Sequence, residues 1–96
     1  TTVMMDSGIR RGTDVVKALA LGAKMVLIGR STLYGTAAAG EAGAARALAI
    51  YRGEISRTMA QIGCNTVAEI DPGCVLRAPL GEAHKPGAVP TLQKVA

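Results

Sequence analysis

The chain has 96 residues, is 49% hydrophobic and carries a net charge of +4. That composition excludes a disordered tail and fits one small domain or part of one. Its arginines are scattered and Tyr34 and Tyr51 are its only aromatics, so we expect no nucleic-acid partner. The longest apolar run is far short of a bilayer span, and no segment reads as a signal peptide. Cys64 and Cys74 lack CxxC spacing and a nearby histidine, which points to two unpaired thiols in a cytoplasmic protein. The chain opens on Thr1 just before an apolar run, and its core must be built from small aliphatics. We therefore expect a piece of a longer protein that does not fold well alone.

In chain order, residues 2–5 are short, apolar and β-leaning, and read as a buried parallel strand. Residues 6–12 carry two glycines and no periodicity, and so form a loop. Thr13 is the expected N-cap of a helix, with Asp14 in its first turn. Val15, Val16, Leu19 and Ala20 give that helix an apolar face, and Gly22 ends it. Residues 25–28 form a second buried strand. A connection one helix long makes the two strands parallel.

Residues 31–39 follow at once as a short helix capped by Ser31 or Thr32, and Gly40 breaks it. Residues 41–63 hold the longest helical pattern, with Leu48, Tyr51, Ile55, Met59 and Ile62 on one stripe. Arg46, Arg52, Glu54 and Arg57 fall largely off that stripe. Gly63 ends the helix, and 66–70 adds a further turn capped by Asn65. We place a domain boundary at 70. From 71 to 96, Pro72, Pro79, Pro86 and Pro90 interrupt any regular element and predict an arm that is extended or partly disordered.

Two loops stand out. Each strand runs into a glycine followed by arginine: Gly8 and Arg10 after the first, Gly29 and Arg30 after the second. Glycine lets a backbone approach a phosphate closely, and arginine binds its oxygens as a planar fork. The start of the short helix adds a positive dipole end. One such loop alone would be an ordinary turn with solvated charges. Two in register, followed by a short helix, match the phosphate site of (β/α)₈ barrels after strands seven and eight. Asp6 either caps its own loop or meets arginines and ligand hydroxyls. Arg11 reads as a surface charge, Tyr34 as a packing residue and His84 as a poor candidate base. Glu41, Glu54, Glu69 and Glu82 are too dispersed for a carboxylate pair, and no metal-ligand cluster is visible.

The run Asp6-Ser7-Gly8-Ile9-Arg10-Arg11-Gly12-Thr13-Asp14, continued by Val26-Leu27-Ile28-Gly29-Arg30 and Leu33-Tyr34-Gly35, resembles the C-terminal part of the FMN-dependent α-hydroxy-acid oxidases and dehydrogenases. The resemblance covers about residues 3–64. It implies an α/β fold, the last two βα units plus tail of a (β/α)₈ TIM barrel. It implies FMN as cofactor, with Asp6, Ser7, Gly8, Ile9 and Arg10 in one binding loop and Gly29 and Arg30 in the other. The arginines would hold the phosphate, with Asp6 near the ribityl chain. Ser7 stands where many members have glycine, which favours the mandelate-type branch, as does the end of the long helix at Gln61-Ile62-Gly63-Cys64. The family's histidine base and substrate-binding arginine belong to a motif absent here, so no catalytic residue is expected in this chain. The implied partners are the N-terminal remainder of the barrel, a small 2-hydroxy acid, and further copies of the whole enzyme in a homo-oligomer. IMP dehydrogenases and flavin-dependent isopentenyl-diphosphate isomerases carry similar loops, and a non-catalytic anion-binding half-barrel is a rival of another class.

Overall fold

A computed structural model describes residues 1–78 and the strand backbone at 93–94. Its frame is a βαβ unit followed by a long kinked helix. Strand β1 (Met4–Met5) pairs in parallel with β2 (Met25–Val26), in the register Met4↔Met25 and Met5↔Val26. Helix α1 (Gly12–Ala20) makes the crossover. The strands are shorter than residues 2–5 and 25–28 suggest, although Lys24 N–H donates to Val3 O and Leu27 N–H to Met5 O at either end of the pair.

The expectation of buried strands is corrected. Val3, Met4, Met5, Met25 and Leu27 are all exposed, Met4 by 61%. Only one face of the pair is covered: Val26 and Ile28 pack inward with Ile9, Ala18, Ala23 and Tyr51. Met25 and Leu27 point the other way because side chains alternate along a strand, and no layer covers that face among the described residues.

Helix α1 begins two residues before a Thr13 cap would allow. Arg11 is the N-cap, and Asp14 reaches back so that one carboxylate oxygen accepts the amides of Arg10 and Arg11, each at 3.0 Å. A carboxylate in this position also meets the positive end of the helix dipole. Thr13 is exposed. The apolar face is wider than one stripe: Val15 and Ala18 join one cluster, Val16, Leu19 and Ala20 another with Ile70, Ile55, Met59, Cys64 and Val75. The helix ends as expected. Gly22 adopts φ +112°, its N–H donates to Leu19 O, and Ala23 N–H donates to Ala18 O. This pair of bonds is the Schellman closure, which needs a left-handed residue after the helix.

Helix α2 (Arg30–Ile62) contains both of the helices expected after β2, joined at a kink where Ala39 and Gly40 leave helical geometry. The cap is neither Ser31 nor Thr32 but Gly29. Thr32 instead turns its hydroxyl back onto Gly29 O at 2.8 Å. Across the kink the two arms touch through backbone, since a Cβ on Gly35 or Gly43 would strike the other's carbonyl. The long arm ends at Gly63 with the same double closure, Gly63 N–H to Ala60 O and Cys64 N–H to Met59 O.

The buried stripe of the long arm differs from the expected one. Tyr51 is buried and Glu54, Ile55, Thr58 and Met59 are half-buried, but Leu48 and Ile62 are exposed. Glu54 moves onto the stripe because its carboxylate has partners there. One oxygen accepts Arg11 Nε at 2.9 Å and lies 2.6 Å from a terminal guanidinium nitrogen; the other accepts the Gly12 amide at 2.6 Å. Arg11 is therefore half of an ion pair, not a free surface charge. The approach is close enough that a Cβ on Gly12 would meet Glu54 Cβ at 2.5 Å and Ile55 N at 2.7 Å.

Beyond α2 the chain makes a 3-10 turn at Val67–Glu69 with Thr66, not Asn65, as cap; Asn65 N–H donates to Glu69. A second such turn, Pro72–Cys74, is capped by the Asp71 side chain. Strand β3 (Leu76–Arg77) then pairs antiparallel with β4 (Gln93–Lys94), so this part of the segment is not the extended arm its prolines predict. Proline fixes its own φ but does not prevent pairing of the residues between prolines. Pro79, Glu82, His84, Pro86 and Pro90 lie outside the described residues. Cys64 and Cys74 are free, half-buried thiols, and burial together with the neighbouring Cys74 thiol pushes Cys64 up.

Two outcomes follow from this architecture. The Arg11 guanidinium, and after it the Gly12 amide, holds the Glu54 carboxyl below its ordinary 4.5. A group with a depressed folded-state pKa contributes stability above its unfolded value and loses it as pH falls through the folded one. Glu54→Gln should lower the melting temperature near neutral pH, with the gap to wild type closing below about pH 4.5. Thermal melts of both proteins across that range measure it, and a gap indifferent to pH rules out the ion pair as its cause. Ser7 holds φ +76°, a conformation that costs a residue bearing Cβ roughly 1–2 kcal/mol. Ser7→Gly should raise stability by about 0.5–1 kcal/mol once the added unfolded-state freedom of glycine is counted, visible as a higher urea midpoint at constant slope. A lower midpoint would mean that the serine side chain contributes something its geometry does not reveal.

Candidate functional site

All seven residues singled out from the two loops line one pocket of about 270 Å³: Asp6, Ser7, Gly8, Ile9, Arg10, Gly29 and Arg30. Parallel pairing of β1 with β2 is what brings them together, because both strands then deliver their following loops to the same end. Ser7 and Gly8 are consecutive left-handed residues, at φ +76° and +78°. They turn the chain sharply out of β1.

The loop after β1 is held at four successive residues. Tyr51 Oη lies 3.0 Å from Ile9 O; Asp14 accepts the amides of Arg10 and Arg11; Glu54 accepts the amide of Gly12. Arg10 is thus anchored through its backbone while its side chain is exposed, with no ion pair or hydrogen bond among the described residues. Arg30 is likewise exposed, with no side-chain partner among the described residues. Two cationic side chains on anchored backbone thus line one pocket.

The start of α2 adds a third source of positive potential. The first intrahelical bond closed there is Leu33 N–H to Gly29 O at 3.0 Å, and no side chain caps the preceding amides. Arg30 and Ser31, the first two residues of the helix, line the pocket. Uncapped amides at a helix N-terminus favour an anion. An oxyanion with several acceptor oxygens is the ligand that two guanidinium forks and these amides could saturate together.

Asp6 does not pair with an arginine among the described residues. Its carboxylate accepts the Ser7 amide at 2.7 Å, the loop-capping arrangement left open by the sequence. Ile9 reaches the pocket wall while being buried in the core. Tyr34, expected to pack, is 59% exposed and lines the pocket, as do Leu27 and Ser31, which the sequence reading placed in the strand and at the helix start without assigning them to the ligand site. For Tyr34 the signal was its position one helical turn from Arg30. Tyr51 and Glu54 were also missed as supports of the loops. A lone tyrosine on an aliphatic stripe should have drawn notice, since a buried hydroxyl needs a partner.

Comparison with known proteins identifies a family. The model of the family described as FMN-dependent dehydrogenase matches residues 1–77. The chain is 56% identical over 70 residues to (S)-mandelate dehydrogenase of Pseudomonas putida, an alignment covering 73% of this chain and 18% of that protein. It is 48% identical over 89 residues to glycolate oxidase 5 of Oryza sativa subsp. japonica, covering 93% of this chain and 23% of the relative. A crystal structure described as the monotopic membrane protein (S)-mandelate dehydrogenase superposes with a TM-score of 0.73 at 54% identity, covering 75% of this chain and 19% of that one. The chain spans about a fifth of the length of these relatives. Its structural neighbours are TIM-barrel flavoenzymes, matched in part. No described helix is long and apolar enough to cross a membrane. By the extent of these matches, the chain belongs to the FMN-dependent dehydrogenase family.

Proposed function

We propose that this chain supplies the FMN-phosphate grip of an FMN-dependent 2-hydroxy-acid oxidase or dehydrogenase of the mandelate type, and that its two βα units are the last two of a (β/α)₈ barrel. The observation that carries this reading is the single pocket lined by Arg10, Arg30 and the uncapped start of α2. FMN, when bound, supplies the acceptor for a hydride from the substrate α-carbon. Arg10 and Arg30 would neutralise and orient its phosphate, and the first amides of α2 would take the remaining oxygens. Gly8 leaves open space where a side chain would stand. Asp6, at the mouth of the same pocket, would face the polyol chain.

No residue of this chain is assigned acid–base chemistry. The base and the carboxylate-binding arginine belong to the remainder of the barrel, which we take to be the chief partner. The exposed face of β1 and β2, with Met4, Met25 and Leu27, supports that reading, since parallel strands elsewhere are covered on both faces. The substrate is a small 2-hydroxy acid, the whole enzyme a homo-oligomer, and the free thiols suit the cytoplasm.

Riboflavin, which lacks the phosphate, provides the test. In the full-length protein carrying these residues, Arg10→Gln and Arg30→Gln should each weaken FMN binding by about one to two orders of magnitude, the worth of a charge-assisted hydrogen bond. Riboflavin affinity should hold. Flavin fluorescence titration reads both. Equal losses for the two flavins would show that the arginines do not grip a phosphate.

A further inference from the structure

Tyr51 stands apart from the rest of the core. It is the largest buried side chain, only 6% exposed, among residues such as Ala18, Ala20 and Ala23. Its hydroxyl meets two groups: Ile9 O at 3.0 Å and Ser31 Oγ at 2.7 Å. A phenol carries one proton and a carbonyl can only accept. Tyr51 therefore donates to Ile9 O and accepts the proton of the Ser31 hydroxyl.

These two partners flank the cationic grip. Ile9 directly precedes Arg10, and Ser31 directly follows Arg30. Both line the pocket. One buried oxygen on the long arm of α2 thus ties together the loop after β1 and the first turn of α2. The β1–β2 ladder also joins the two segments, but its bonds close before either arginine is reached, the last being Leu27 N–H to Met5 O.

We infer that Tyr51 is a positioning residue: through the Ile9–Tyr51–Ser31 bridge its hydroxyl sets the spacing between Arg10 and Arg30, and so the fit of the pocket to a phosphate. This rests on the phosphate reading given above. The ring alone would serve a packing role, so phenylalanine separates the two possibilities. Tyr51→Phe keeps the buried ring and removes only the bridge. Ser31→Ala breaks the same bridge from its other end and leaves the bond to Ile9 in place.

The experiment measures FMN and riboflavin affinity in the full-length protein for wild type, Tyr51→Phe, Ser31→Ala and the double variant. The bridge predicts that Tyr51→Phe weakens FMN about five- to tenfold, the worth of a buried hydrogen bond, with riboflavin within about twofold. Ser31→Ala should lower the FMN-to-riboflavin ratio too, and the double variant should lose no more than the larger single loss, because both remove one unit. If Tyr51→Phe leaves that ratio unchanged, or weakens both flavins together, the tyrosine is structural and the inference falls while the phosphate reading stands. Should Tyr51→Phe not fold, an unaltered ratio in Ser31→Ala overturns it equally. A wild type that does not prefer FMN to riboflavin removes the phosphate reading, and this inference with it.

Discussion

Four consecutive residues after β1 are each held by a side chain from a helix: Ile9 O by Tyr51, the amides of Arg10 and Arg11 by Asp14, the amide of Gly12 by Glu54. The placement of Arg10 at the pocket follows from this restraint. A loop with two left-handed residues would otherwise be free to swing, and Arg10 with it. Held in this way, the backbone is fixed before a ligand arrives, so less freedom is lost on binding. The side chain that remains free is the one with ligand chemistry.

The restraint is polar because the apolar core is thin. Besides Tyr51, the buried hydrophobics among the described residues are Ile9, Val16, Ile70 and three alanines. Such side chains bury little area, and apolar contact has no direction. Hydrogen bonds to Tyr51 and Glu54 supply the direction that small side chains cannot. Arg11 is 71% exposed while the Glu54 side chain is 11% exposed. The pair is therefore screened on one side, and its role is to set geometry more than to add stability. The same economy appears at Gly35 and Gly43, where backbone lies on backbone.

The molecule is unevenly finished. On its helical side the helices are finished at their C-terminal ends, with a double hydrogen-bond closure at the end of α1 and again at the end of α2. Its strand side presents Val3, Met4, Met25 and Leu27 outward. The pocket lies where these sides meet. Under the function proposed above, that placement would let one part of a barrel grip the cofactor phosphate while the ring reached toward another. It accords with a chain that matches about a fifth of each of its relatives.

The amino-acid order alone determined the βαβ unit, the helical stretches after it and the meeting of the two arginine loops. Alternation of short apolar runs with a helical stretch specifies a parallel βαβ unit, because a one-helix connection cannot make a hairpin. Glycine at 22, 40 and 63 marks the end of α1, the kink in α2 and the end of α2, since left-handed backbone favours glycine. Gly-Arg after each strand then brings Arg10 and Arg30 to one end by topology, without knowledge of any contact. Tertiary structure alone decided what holds them. That Glu54 belongs to the buried stripe, that Arg11 is paired and that Tyr51 holds Ile9 all depend on distances between residues remote in the chain. Periodicity reports which way a side chain points along its own helix. It carries no information on which backbone amide, forty residues away, will be waiting there.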